Sequence, residues 1–167
     1  MPREAPISLT LALMIPPRLD GLVGPGTDAA LLADLFLKAD KQLFLVGGSV
    51  RDALMDRIDD ETDLDFTTDA RPEETKEIVD GFGTVYSIGE SFGTIAVHRN
   101  DTDYEITTLR KEIYRDKSRK PEVSFSDNIE EDLGRRDFTV NAMALRLGKD
   151  PKLIDTYGGL GDLATWT

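Results

Sequence analysis

Two aspartates, Asp63 and Asp65, stand two positions apart in the segment DLDFTT, and their neighbours Leu64 and Phe66 are apolar. Residues two apart on a strand point to the same face of a sheet, so a strand here would present both carboxylates together. At about 6 Å and an effective dielectric near 20, two such charges repel by about 3 kcal/mol. A partly buried pair therefore needs a cation, and a site with only oxygen ligands suits Mg²⁺.

A third carboxylate, Glu105, lies in the segment DYEITTL between two apolar neighbours, Tyr104 and Ile106. If its strand lies beside that of Asp63 and Asp65, three acids converge. Such a cluster could hold metal ions for phosphoryl or nucleotidyl transfer. The alternative is the solvent-facing side of an ordinary amphipathic strand.

The segment LFLVGGSVRD places two glycines, Gly47 and Gly48, directly after the buried strand predicted at 43–46. Glycine allows a tight turn and lets a ligand approach the backbone closely, while the N–H groups that open the following helix favour an anion. Arg51 follows within that helix. A plain strand-to-helix turn is the alternative, and the Gly-x-Gly-x-x-Gly of a dinucleotide-binding turn is absent.

An arginine pair, Arg135 and Arg136, precedes a predicted helix over 138–147, for which Asp137 would be the N-cap. Cations at the start of a helix oppose its dipole, which suggests that the pair has another use. A phosphate or a ribose is the natural partner for such a pair.

Composition excludes several classes of site. The 167 residues include no cysteine and one histidine, so disulfides, thiolate sites and multi-histidine metal sites are excluded. The net charge is −12, yet the segment 110–120 carries six basic and two acidic residues. That segment is either a solvated surface loop or a contact for a polyanion. The apolar run 7–17 is too short to span a bilayer, so we expect a soluble cytoplasmic protein with no membrane partner.

The elements that must position these residues form an α+β pattern. Helices are expected at 27–36, with Thr27 as its cap, and at 49–57, 71–82 and 126–133. Strands are expected at 43–46, 63–68, 84–88, 93–99 and 103–109. The sequence NDTD, 100–103, reads as the turn of a hairpin. This order predicts a mixed, mostly antiparallel sheet flanked by helices.

Five segments in this order, VGGSVRD, DLDFTTDA, GTIAV, YEITTLR and EEDLGRRDFTVNAMAL, resemble the head domain of class II tRNA nucleotidyltransferases. These are the CCA-adding enzymes and their bacterial poly(A) polymerase relatives, within the polymerase-β-like superfamily. The resemblance runs from about residue 43 to residue 163. It implies the polymerase-β-like nucleotidyltransferase head fold, Mg²⁺ as cofactor, and CTP and ATP as substrates.

The resemblance also implies residue roles. Three residues are catalytic by this comparison, Asp63, Asp65 and Glu105, and the first two would hold the metal. Nucleotide contacts are implied for Gly47, Gly48, Arg51, Arg136, Asp137 and Asn141. The basic segment 110–120 matches the flexible loop that couples the head to nucleotide choice.

The expected organisation is an irregular segment at 1–26, a catalytic head at 27–155, and the start of a truncated neck domain at 156–167. The reaction implied is the addition of C, A or both to the 3′ end of tRNA with release of pyrophosphate. The tRNA would be contacted mainly by domains absent from this chain. A poly(A) polymerase and a non-catalytic nucleotide-binding fragment remain as alternatives.

Overall fold

A computed structural model describes residues 23–47, 50–52, 64–87, 93–113, 122–136, 142–148, 151–159 and 162. Three helices and nine strands are described over these ranges: α1 (Asp28–Lys38), β1 (Leu43–Val46), β2 (Asp65–Thr68), α2 (Pro72–Ile78), β3 (Thr84–Ser87), β4 (Thr94–Arg99), β5 (Thr102–Thr108), β6 (Arg110–Ile113), β7 (Glu122–Phe125), α3 (Ile129–Gly134), β8 (Ala144–Leu147) and β9 (Lys152–Ile154). No helix in these ranges has both the length and the apolar character needed to cross a membrane.

Seven strands form one sheet in the order β3-β4-β5-β2-β1-β8-β9, and β6 and β7 form a separate two-stranded ribbon. Every neighbouring pair in the large sheet is antiparallel except β2 and β5, which are parallel. The chain returns from β2 to the parallel strand β5 through α2, β3 and β4. The predicted mostly antiparallel α+β fold is confirmed.

The two faces of the sheet are covered differently. Leu45, Phe66 and Ile106 belong to a core that also contains buried residues of α1, and the region after α2 packs there too. Phe44 and Val46 point to the opposite face and pack in a second cluster with buried residues of α3. Side chains alternate along each strand, so β2 and β5 can fill the first core and still present polar side chains to the second face.

Local signals in the sequence account for the ends of several elements. Thr27 caps α1, because its hydroxyl accepts a hydrogen bond from the Ala30 N–H at 3.1 Å. Asn100 and Asp101 have φ values of 49° and 63°, and they form the tight turn predicted between β4 and β5. These two predictions are confirmed.

The helix predicted over 138–147 is wrong in the part that the structure describes. Ala144–Leu147 is a strand, β8, which pairs with β1 on one side and β9 on the other. The apolar residues of this segment are compatible both with the buried face of a helix and with a buried strand. Hydrogen bonding to two neighbouring strands decides the conformation, and no local pattern reports it.

Candidate active site

A cavity of about 220 Å³ opens on the face of the sheet that α3 covers. It lies where β1 ends and where β2 and β5 run side by side. The residues that line it come from those three strands and from the segments after β5 and α3: Val46, Gly47, Asp65, Phe66, Thr67, Glu105, Thr107, Arg110, Arg135 and Arg136. Four of the residues predicted for the site, Gly47, Asp65, Glu105 and Arg136, therefore meet in one place.

The two described carboxylates of the site, Asp65 and Glu105, are direct partners in the parallel pairing of β2 with β5. Neighbouring strands lie about 4.8 Å apart, so like charges directly opposite one another repel. The hypothesis that the strand of Glu105 lies beside that of the DLDFTT acids is confirmed for Asp65. Asp63 lies outside the described residues.

Thr67 lies two residues after Asp65 on β2, on the same face of the sheet. The Thr67 side chain is nearly inaccessible, and its hydroxyl has no hydrogen-bond partner among the residues that the structure describes. A buried polar group without a partner is costly unless a ligand or water supplies one. This hydroxyl therefore marks the cavity wall as a surface that suits a polar occupant.

The glycine turn brings backbone close to an arginine. Gly47 has a φ of +75°, which disfavours L-residues, and a Cβ built on it would lie 3.9 Å from Nη1 of Arg136. The carbonyl of Gly47 accepts a hydrogen bond from the Arg51 N–H at 3.3 Å. Gly48 lies outside the described residues.

Arg51 is joined to the site through its backbone bond to Gly47. Its side chain does not line this cavity, and its Nε donates to Oδ1 of the adjacent Asp52 at 3.0 Å. The helical segment 50–52 carries both side chains. The nucleotide contact of Arg51 stays a prediction.

The arginine pair follows the end of a helix. Arg135 is the C-cap of α3, and Arg136 follows it directly. Cations are favoured at a helix C-terminus, so the dipole of α3 favours the pair at this position. The helix start predicted at 138 lies outside the described residues. Asp137 and Asn141 lie outside the described residues.

Two residues that sequence reasoning missed complete the site. Asp132 is fully buried and binds both arginines, with Oδ1 3.1 Å from Nη2 of Arg136 and Oδ2 3.4 Å from Nη2 of Arg135. The backbone N–H of Arg110 donates to the same carboxylate at 2.9 Å. The spacing of Asp132 three and four residues before the arginines is a signal for such pairing on a helix. Arg110 is the first residue of the basic segment 110–120, one interpretation of which was a contact for a polyanion.

The cationic side of the cavity is only partly neutralised. Burial, followed by the nearby charge of Arg135, lowers the pKa of the Arg110 guanidinium, although an arginine stays protonated at neutral pH. The Nε atoms of Arg110, Arg135 and Arg136 are buried and have no hydrogen-bond partner within the described ranges. An anionic ligand would satisfy these donors and relieve the mutual repulsion of the guanidinium groups.

The fit of a metal ion rests on the carboxylates. Among the described residues no group of three or more acidic, histidine or cysteine side chains is placed to hold a metal. Asp65 and Glu105 nevertheless offer oxygen donors on one cavity wall, the ligand type that Mg²⁺ prefers. The donor chemistry fits, and Asp63 would add a further carboxylate from the same segment.

A larger cavity of about 650 Å³ lies at the other end of β1, beside Gln42. None of the predicted site residues lines it. Arg71, on its wall, is already bonded to the Ser126 carbonyl at 3.2 Å and to Asp127 at 3.3 Å. Its size alone does not make it the active site.

A cavity lined by both acids and arginines, on a mostly antiparallel sheet, is expected of a polymerase-β-like head. A family model described as the poly A polymerase head domain matches residues 43–166, most of the chain. The chain therefore belongs to the poly A polymerase head domain family.

Curated and solved relatives point the same way. The CCA-adding enzyme of Streptococcus agalactiae serotype V is 46% identical over 127 residues, which is 75% of this chain and 30% of that protein. The crystal structure of Bacillus stearothermophilus CCA-adding enzyme with CTP is similar with a TM-score of 0.67 and 30% identity, covering 90% of this chain and 32% of that one. A tRNA nucleotidyltransferase complexed with a primer tRNA and an incoming ATP analogue gives a TM-score of 0.61 at 30% identity, covering 80% and 36%. This chain thus spans about a third of the length of these relatives.

Proposed function

We propose that this chain is the head of a Mg²⁺-dependent nucleotidyltransferase that adds C, A or both to the 3′ end of tRNA, using CTP and ATP and releasing pyrophosphate. The observation that carries the proposal is one cavity that is lined by Asp65, Glu105 and three arginines. Membership of the head-domain family and the likeness to CCA-adding enzymes support it.

Cationic and anionic residues of the site would have different roles. Arg136, with Gly47 beneath it, would bind the triphosphate through charge-assisted hydrogen bonds and backbone approach. Asp63 and Asp65 would hold Mg²⁺, with Glu105 as the third carboxylate. The metal would supply charge neutralisation at the reacting phosphate. Gly48, Arg51, Asp137 and Asn141 keep their proposed nucleotide contacts as predictions, because the structure does not bring them to this cavity or does not describe them.

The bond changes follow from that placement. The 3′-hydroxyl oxygen of tRNA would lose its proton to solvent and attack the α-phosphorus of the nucleoside triphosphate. A new P–O bond forms, and the bond between the α-phosphorus and the oxygen that bridges to the β-phosphate breaks. Pyrophosphate leaves with its negative charge facing the arginines. Positioning and electrostatic stabilisation supply most of the catalysis in such transfers.

The wider assignment extends the same proposal. The head would occupy 27–155 and be followed by the start of a neck, and the protein would act in the cytoplasm. Residues 1–22 of the expected N-terminal segment lie outside the described residues. Contacts to tRNA beyond its 3′ end would come mainly from parts that the longer relatives have outside the matched region. Poly(A) addition is the second candidate, because the matching family model carries that name.

Calorimetry with CTP and ATP, with and without Mg²⁺, tests the proposal. Wild type should bind both nucleotides more tightly with Mg²⁺, and Asp65→Asn should lose that Mg²⁺ dependence. Asp101→Asn is the matched control, because Asp101 lies in the β4–β5 turn at a φ of 63° that asparagine tolerates.

Three outcomes would decide it. Equal loss in both variants, or no Mg²⁺ dependence in folded wild type, contradicts the proposed function. Incorporation of labelled CTP into tRNA lacking its terminal residues favours CCA addition. Incorporation of ATP alone into repeated A residues favours poly(A) addition.

A further inference from the structure

Asp132 is the one carboxylate of the described site that the solvent does not reach. Its side chain is 0% exposed, whereas those of Arg135 and Arg136 are 20% and 21% exposed. It accepts from both guanidinium groups and from the backbone N–H of Arg110. A buried carboxylate with three donors around it has a defined orientation, and it transmits that orientation to its partners.

The three arginines in the cavity lining have more donor groups than Asp132 can accept. Each carboxylate oxygen is already bonded, Oδ1 to Arg136 and Oδ2 to Arg135 and to the Arg110 backbone. The three Nε–H groups stay buried and without a partner among the described residues. Three guanidinium groups in the cavity lining and the single buried anion Asp132 leave a net positive charge, which suits several adjacent phosphate oxygens better than a single carboxylate.

We propose that Arg110 is a third phosphate-binding residue beside Arg135 and Arg136, and that Asp132 is the positioning residue that aims all three at the polyphosphate of the nucleotide. This inference rests on the proposed function and deepens it. Asp132 itself touches no nucleotide. Because β6 begins at Arg110 and pairs with β7, the β6–β7 ribbon would then be connected directly to the phosphate site.

Whether the Asp132→Asn variant binds anions more weakly or more tightly distinguishes two roles for Asp132. It either positions the arginines or only supplies a negative charge. Asp132→Asn removes a negative charge from the site, which by electrostatics alone strengthens anion binding. Its amide keeps one acceptor oxygen and turns the other position into a donor, so at least one arginine contact is lost. If Asp132 positions the arginines, binding weakens although the site has become more positive.

The experiment measures binding of CTP, inorganic tripolyphosphate and cytidine to the full chain. Arg110→Ala keeps the backbone bond to Asp132 and removes only the guanidinium, so it tests the site even where an Asp132 variant does not fold. Arg146→Ala is the matched control. Arg146 also has a buried Nε without a described partner, and it stacks over Phe44 at 5.8 Å, but it does not line this cavity.

We expect Arg110→Ala to weaken the binding of CTP and of tripolyphosphate about tenfold, which corresponds to the loss of one hydrogen bond to a charged group. The affinity for cytidine should not change. Arg146→Ala should stay within about twofold for every probe. Equal behaviour of the two arginine variants, while wild type still prefers CTP to cytidine, overturns the inference and leaves the proposed function standing. If wild type binds CTP no better than cytidine, that result contradicts both the inference about Arg110 and the proposed function.

The Asp132→Asn variant, checked for folding by circular dichroism, should bind tripolyphosphate about tenfold more weakly. Tighter binding would mean that Asp132 only supplies charge and would overturn its positioning role. In an Arg135→Ala/Arg136→Ala background, the loss should shrink, because residues that act through one another are not additive. An undiminished loss in that background would also contradict the inference.

Discussion

The turn at Gly47 offers a sharp test, because its strain can be matched elsewhere in the chain. Gly47 and Gly158 have φ values of +75° and +76°. A Cβ added to Gly47 meets only Nη1 of Arg136, at an ordinary 3.9 Å, and one added to Gly158 meets nothing within 4 Å. Neither Gly→Ala change creates a clash, so each costs only the left-handed conformation, about 1–2 kcal/mol.

We therefore expect both variants to unfold about 2–8 °C below wild type, from the usual shift for a chain of this size. Only Gly47→Ala should also weaken CTP binding, by about tenfold, because its methyl group stands between the backbone and the phosphates under Arg136. Gly47→Asn should recover part of the stability, since asparagine tolerates this conformation.

Thermal unfolding followed by circular dichroism measures the first effect, and calorimetry with CTP and Mg²⁺ measures the second. Equal CTP affinity in the two alanine variants would refute the idea that a nucleotide approaches this turn. An unchanged unfolding temperature for both would refute the argument from backbone strain.

The remaining predictions concern the scaffold. Gly83→Ala should destabilise the fold by about 3 kcal/mol or more, because its Cβ would overlap the backbone carbonyl of His98, and a melt unchanged from wild type would contradict that contact. Bonds from the Arg71 backbone N–H and then from Lys41 lower the pKa of Glu74 below its ordinary 4.5. The carboxylate thus stabilises the fold above pH 4.5, and this contribution is lost as the pH falls through the lowered pKa. Urea unfolding at pH 7 and pH 3 should show that Glu74→Gln loses less free energy of unfolding between these pH values than wild type does. An identical loss would contradict the link between the lowered pKa of Glu74 and stability.

Much of the fold could be predicted because its local signals agree with its tertiary environment. The cap at Thr27 and the turn at Asn100 and Asp101 depend on interactions within a few residues, and both occur as predicted. The alternation in DYEITTL indicated a strand with Glu105 on the polar face, and the structure has that strand. Short-range hydrogen bonds and side-chain periodicity are properties of the sequence itself.

The wrong prediction has another origin. The run that forms β8 is helical or extended according to its neighbours, and its pairing with β1 and β9 makes it a strand. By contrast, α3 ends at Gly134, within one residue of the predicted end, because capping and helical periodicity are local.

By itself the sequence determined which residue types are available for chemistry. Paired acids, a glycine turn and an arginine pair, in a chain without cysteine, favour phosphate and magnesium chemistry over thiol or multi-histidine metal sites. The tertiary structure alone decided that Asp65 and Glu105 are neighbours, and that Asp132 binds the arginine pair together with the backbone of Arg110. Pairing between strands 40 residues apart in sequence comes from the packing of the whole sheet, which no local pattern encodes.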